Sequence, residues 1–157
     1  MSLNVQVVAR PNFEILDIVI RWPGSAHDSR IFNSSSVCMR LQNNNLRGIL
    51  LGDSAYVQSS YLDTPVLQPA NGPERSYNNA HISTRNMVER TFGLWKGRFR
   101  CIARPLQVKL RHAIRIIAAV AVLYNIAVKE NEPLEESDLI AEDFPTSTQP
   151  RAQEKTL

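Results

Sequence analysis

An alternation with period two opens the chain. Leu3, Val5, Val7 and Ala9 are separated by Asn4, Gln6, Val8 and Arg10, the period of a half-buried strand. Arg10-Pro11-Asn12 reads as a turn. Residues 13–22 predict a second strand, with Leu16, Ile18, Ile20 and Trp22 on one face and Asp17 and Arg21 on the other, so the two form a hairpin. Pro23-Gly24 breaks that strand, and Asp28 or Ser29 can cap a helix over about 30–41. Ile49-Leu50-Leu51 is too short and too apolar for anything but an interior strand, and it runs out into Gly52 and Asp53. Gly52 allows a turn or a close approach. Pro65, Pro69 and Pro73 with Gly72 speak against a long helix in 57–80, leaving a short strand near 65–67 and a polar turn over 74–81. Ser83-Thr84 can cap a helix to about residue 99, with Val88, Phe92, Trp95 and Phe99 as its buried stripe. Residues 112–128 are the most apolar helix, expected to lie buried against the sheet, where Asn125 needs a partner.

Charge divides the chain. Residues 1–129 hold 16 Lys and Arg against 7 Asp and Glu, whereas residues 130–157 hold 2 against 8. The expected organisation is one basic core domain, 1–129, and an acidic, Pro/Ser/Thr-containing disordered tail, 130–157. A basic body fits a polyanionic partner, and an acidic tail can shield it. Cys38 and Cys101 have neither metal-ligand spacing nor a disulfide pattern, which points weakly to a reducing compartment. Met1 leads straight into strand-like sequence with no signal peptide, and the apolar run 116–127 is too short to span a bilayer, so no membrane partner is expected.

Candidate chemistry gathers at three acids. Asp53 stands where a strand leaves the core, a frequent ligand position in open α/β sheets, though such an aspartate can equally form a turn or cap. Glu89 shares a helix face with Arg85 and Lys96, which suits a metal ligand among phosphate-binding neighbours; the plain alternative is an intrahelical ion pair of about 0.3–0.5 kcal/mol. Asp28 is either an N-cap or a ligand at the mouth of the sheet, and His27 an orienting or structural residue. Paired carboxylates are what a hard divalent cation takes. Between residues 85 and 115 nine Lys and Arg accompany one acid; Arg98, Arg100, Arg104, Lys109 and Arg111 form a strip interleaved with Phe99, the footprint of salt-dependent phosphate binding. No base-reading motif is visible.

Five collinear stretches carry a resemblance. They are residues 22–32 (WPGSAHDSRIF), 51–56 (LGDSAY), 75–81 (RSYNNAH), 88–93 (VERTFG) and 98–101 (RFRC). Together they resemble the PIF/Harbinger transposase-derived nucleases, endonucleases of the DDE superfamily. The resemblance implies an α/β, ribonuclease H-like mixed sheet with flanking helices. It implies a divalent-metal-dependent DNA endonuclease using Mg²⁺ or Mn²⁺, with Asp53 and Glu89 catalytic and Asp28, Asp53 and Glu89 as metal ligands. Arg85, Arg90, Lys96, Arg98 and Arg100 are the candidate nucleic-acid contacts. A nuclear and cytoplasmic location and a Myb/SANT-like DNA-binding partner protein also follow from the resemblance. The chain departs from the family twice. The first catalytic aspartate, on the first strand upstream of the segment matching residues 2–6, has no counterpart, so the core is expected to be N-terminally truncated and its activity reduced. Tyr124 stands where the family usually has histidine. The alternative reading is a non-catalytic domesticated fragment acting as a DNA- or protein-binding module.

Overall fold

The computed structural model of the chain describes residues 3–23, 28–43 and 45–133; His27 and most of the expected tail lie outside them. The architecture is mixed α/β, but in place of one mixed sheet there are two small ones. Strands β1 (Leu3–Ala9) and β2 (Ile15–Pro23) pair antiparallel as the alternation predicts. Their turn is closed by the Arg10 and Phe13 amides, which donate to the carbonyls of Glu14 and Arg10, both at 2.9 Å. Phe13 takes φ 68° there, so β2 starts two residues later than its sequence suggests. A register shift between Val8 and Ala9 also breaks simple alternation: Ile15 and Ile20 are buried while Leu16 is exposed.

The helix expected over 30–41 is two short ones, α1 (Asp28–Asn33) and α2 (Ser36–Gln42). Two serines divide them. The Ser34 hydroxyl donates back to the Ile31 carbonyl at 2.9 Å, and Ser35 accepts the Cys38 amide at 3.1 Å as the α2 cap. Strand β3 (Leu50–Leu51) pairs in parallel with β4 (Leu62–Asp63), which lies just before the strand expected at 65–67. β3 is not the interior strand its composition implied. Among the described residues it pairs with β4 alone, and Ile49 beside it is 62% exposed.

The long helix α3 (Gly72–Arg98) absorbs the segment read as a polar turn. Pro73 does not break it because it sits in the first turn, where a missing amide costs nothing. Asn71 accepts the Glu74 amide at 2.9 Å, and the Glu74 carboxylate accepts the Ala70 amide at 2.7 Å, a reciprocal cap. The expected stripe is only partly buried: Leu94 and Trp95 enter the core, Thr91 is buried with them, and Val88, Phe92 and Phe99 are half-exposed.

Helix α4 (Leu110–Lys129) lies against β2 with Val120, Ala121 and Tyr124 in a core completed by Ile15, Leu94 and Trp95. A second cluster holds Phe32, Val37, Cys38, Leu41 and Leu62, while Cys101 is exposed; both cysteines are free. Asn125 finds its partner in β2: its Oδ1 accepts the Ile15 amide at 2.9 Å and its Nδ2 donates to the Ile15 carbonyl at 2.7 Å. The expectation of a wholly buried helix is corrected, since Val122, Leu123 and Ile126 face outward, each more than half exposed. Read whole, the 20 residues of α4 are long and apolar enough to cross a bilayer, unlike the shorter run 116–127; here one face is built into the core. Tyr124 is fully buried.

Candidate functional site

A cavity of about 460 Å³ separates the two sheets. Residues of β1 and β3 line it, together with Ile31 and Phe32 of α1 and Met87, Val88 and Phe92 of α3. Asp28 at the start of α1, Asp53 after β3 and Arg85 of α3 lie on its lining. Three separate elements therefore bring two predicted ligands and one predicted phosphate contact together.

The Arg85 guanidinium joins the third acid. Its Nη2 lies 4.0 Å from Asp53 Oδ2 and 3.5 Å from Glu89 Oε1. The intrahelical pair foreseen as the plain alternative for Glu89 is thus present, and the same nitrogen reaches across to β3. Each contact is half-exposed and weak, of order 0.5 kcal/mol. Their value is positional: two carboxylates from different elements converge on one positive charge.

Local chain geometry fixes Asp53. Its Oδ1 accepts the Ala55 amide at 2.9 Å, and its carbonyl accepts the Tyr56 amide at 3.2 Å. The resulting turn folds the Tyr56 ring back over Gly52, where an added Cβ would lie 3.0 Å from Tyr56 Cδ2. That is the close approach Gly52 permits. The ring meets Phe32 edge-on at 5.9 Å, and its hydroxyl accepts from Gln6 Nε2 at 2.9 Å. Tyr56 is the residue that sequence reasoning passed over. The only signal was an aromatic side chain three positions beyond an aspartate in a glycine turn.

Burial, reinforced by Asp28 and then Asp53, pushes the Tyr56 phenol up to about 12, against the opposing pull of the Gln6 hydrogen bond and Arg85. Both carboxylates are therefore felt at one hydroxyl. Burial likewise raises Tyr124 to about 12, partly offset by Arg98. The folded state holds these protons more tightly than the unfolded chain, whose phenols titrate near 10. Stability from this source is complete below pH 10 and is lost as pH rises through 12. The resistance to urea is expected to weaken over that window. Tyr56→Phe and Tyr124→Phe should each remove part of the loss, and identical pH profiles in all three proteins would contradict the assignment. The Tyr124 hydroxyl has no hydrogen-bond partner, so Tyr124→Phe is expected to cost little at neutral pH.

The donor set is carboxylate oxygen, the right kind for Mg²⁺ or Mn²⁺. It is short in number: among the described residues no three of His, Cys, Asp and Glu gather closely enough to hold a metal ion. The donors fit a hard cation in kind.

The other candidate phosphate contacts are spread out. Arg90 places its guanidinium 5.3 Å from the Phe13 ring centroid. Lys96 is half-buried on α3. Arg98 donates to the Pro133 carbonyl at 2.9 Å, and Arg100, Arg104, Lys109 and Arg111 are exposed. At 1.5 Å per residue, Arg98 stands roughly 20 Å along α3 from Arg85. Of these groups α3 carries Glu89 and Arg85 in its middle and Arg98 at its end, while Arg100, Arg104, Lys109 and Arg111 lie beyond it.

Comparison with known proteins adds to this geometry. The family profile described as DDE superfamily endonuclease matches residues 1–125. A mouse (Mus musculus) protein named "Putative nuclease HARBI1" is 34% identical over 131 residues, covering 81% of this chain and 38% of its own length. Its human (Homo sapiens) counterpart of the same name is 32% identical over 132 residues, with 82% and 38% covered. "Protein ALP1-like" of Arabidopsis thaliana is 24% identical over 155 residues, with 88% and 38% covered. The chain thus spans about two fifths of the length of these curated relatives. No solved structure matches it.

Proposed function

The chain belongs to the DDE superfamily endonucleases, and on that premise we propose that its carboxylate rim is part of a site for divalent-metal-dependent hydrolysis of DNA phosphodiesters. The observation that carries the reading is the convergence of Asp53 and Glu89 on one guanidinium nitrogen, with Asp28 on the same cavity. In this reading Asp28, Asp53 and Glu89 hold Mg²⁺ or Mn²⁺. When bound, such an ion activates water and offsets charge on the leaving oxygen. The chain's own part is placement. The turn at 53–56 aims Asp53 across the cavity, and Arg85 keeps Asp53 and Glu89 facing one point. Arg90, Lys96, Arg98 and Arg100 bind backbone phosphate away from the reacting bond. We further propose a ribonuclease H-like core whose cage is completed by an aspartate from a further strand. A nuclear setting with a Myb/SANT-like partner follows from the same reading.

The test is nicking of supercoiled plasmid by the purified chain in Mn²⁺, in EDTA, and with Glu89→Gln. The expected result is slow, metal-dependent nicking that Glu89→Gln reduces at least tenfold. Nicking that survives EDTA would sink the proposal. The second reading, a non-catalytic DNA- or protein-binding module, is favoured by the shortage of ligands around the rim. DNA binding that ignores EDTA and Glu89→Gln, with no nicking in Mn²⁺, would establish it instead.

A further inference from the structure

A second cavity, of about 250 Å³, lies between α1 and the loop that joins β3 to β4. It shares Phe32, Tyr56 and Leu62 with the cavity of the acids, so the two adjoin. Three aromatic residues line it, and Phe32 touches both of the others. Tyr56 meets Phe32 edge-on at 5.9 Å, and Tyr61 is tilted 39° to it with centroids 6.5 Å apart. The Tyr61 hydroxyl accepts from Gln42 Nε2 at 3.1 Å, which ties its ring to α2. Polar side chains complete the lining: Asn33 ends α1, and Gln58 and Ser59 belong to the loop. Ser59 Oγ is itself buried and has no hydrogen-bond partner among the described residues. No Lys, Arg, Asp or Glu lines this cavity.

That lining narrows the occupant. A phosphate or carboxylate would enter without a counter-charge. A purely apolar molecule would leave the Ser59 hydroxyl unpaired and would cover the Asn33 and Gln58 amides without bonding them. The volume falls below the roughly 300–1,000 Å³ of sites for drug-sized ligands, so it suits a single ring system. A neutral, planar ring with donors and acceptors on its edge meets every condition, and that is a nucleobase. Bases stack on aromatic side chains whatever their sequence. Carboxamides supply the edge contacts, because each sets a donor beside an acceptor, the pattern by which Asn and Gln pair with adenine.

We propose that the cavity lined by Phe32, Tyr56 and Tyr61 takes one unpaired nucleobase, with Asn33, Gln58 and Ser59 bonding its edge. The base belongs to a DNA strand, and its phosphate lies toward the carboxylates one aromatic ring away; this clause rests on the nuclease reading. The other source of the same chemistry is a free nucleoside.

Two titrations of the full chain in EDTA, where no hydrolysis is expected, test this. In the first, adenosine is added and followed by NMR. The expected result is weak, saturable binding that shifts the side-chain amides of Asn33 and Gln58 and the ring of Tyr61. Tyr61→Ala should abolish these shifts. Gln58→Ala, at an exposed position that cannot endanger the fold, should weaken binding about threefold, the loss of one edge contact. No shift, shifts confined to other elements, or an affinity unchanged in Gln58→Ala would overturn the proposal. In the second, a duplex with one unpaired adenine is compared by fluorescence anisotropy with the same duplex carrying an abasic site there. The adenine duplex should bind at least about fivefold more tightly, as one stacked base provides, and Gln58→Ala should narrow that gap. Adenosine binding beside equal affinity for the two duplexes would overturn the strand clause and assign the cavity to free nucleosides. Failure of either duplex to bind would count against the DNA reading itself, while the adenosine shifts still decide whether the cavity holds a base.

Discussion

Replacing Asn125 by leucine is expected to destabilise the chain by about 2–4 kcal/mol. The side chains have similar volume, so the loss comes from polar pairing and not from a cavity. Asn125 gives both ends of its amide to the backbone of Ile15, at 2.9 and 2.7 Å. It serves as a neighbouring strand would, but from a helix. Leucine leaves the Ile15 amide and carbonyl unpaired beside a buried side chain, and each such group costs about 1–3 kcal/mol. In a chain this size the melting temperature should fall by roughly 10 °C. Asn125→Asp is a sharper probe. It keeps an acceptor for the Ile15 amide but sets a carboxylate oxygen against the Ile15 carbonyl, so its deficit should shrink as pH falls and the acid becomes a donor. A leucine variant within about 1 kcal/mol of wild type would show that α4 is held to β2 by apolar packing alone.

Asp53→Asn is expected to abolish the response to metal without unfolding the chain. The asparagine oxygen can still accept the Ala55 amide, so the 53–56 turn survives. What disappears is one negative charge facing Arg85 and the cavity. With a cage already short of ligands, nicking in Mn²⁺ should drop at least a hundredfold, since a bound ion is worth several kcal/mol in the transition state and each 1.36 kcal/mol is about tenfold. Mn²⁺ should raise the melting temperature of the wild type and leave the variant unmoved. Glu89→Gln should be milder, because Glu89 is the more exposed of the two acids beside Arg85. Equal Mn²⁺ stabilisation of wild type and Asp53→Asn would remove Asp53 from the site, whatever the nicking assay reads.

Much of this was legible in the residues. Alternation over residues 3–9 fixes the hairpin because a strand's period is local. The position of Asp53 at the exit of β3 was visible from Leu50-Leu51-Gly52, and so was its use as a turn former, which its bond to the Ala55 amide displays. The start of α3 was written plainly in Asn71-Gly72-Pro73-Glu74, but the proline was weighed as a breaker when its position makes it a starter. The split between α1 and α2 depended on two serine hydroxyls choosing backbone partners, a competition composition does not reveal. Register shifts in β2 and the isolation of β3 depend on partners distant in sequence. The contact from Arg85 to Asp53 joins residues on different elements, so helix-face arithmetic found only its Glu89 half.

The two thiols differ completely in access. Cys38 is sealed among Val37, Leu41 and Leu62, whereas Cys101 stands on the surface just beyond α3. A maleimide dye should therefore label the native chain once, at Cys101, without any engineered substitution. A second equivalent would react only when the cluster around α2 opens. The slow phase of that reaction is a clock for the opening of this half of the molecule, and its lengthening on addition of a compound would report stabilisation there by a route that requires no catalysis, no metal and no DNA.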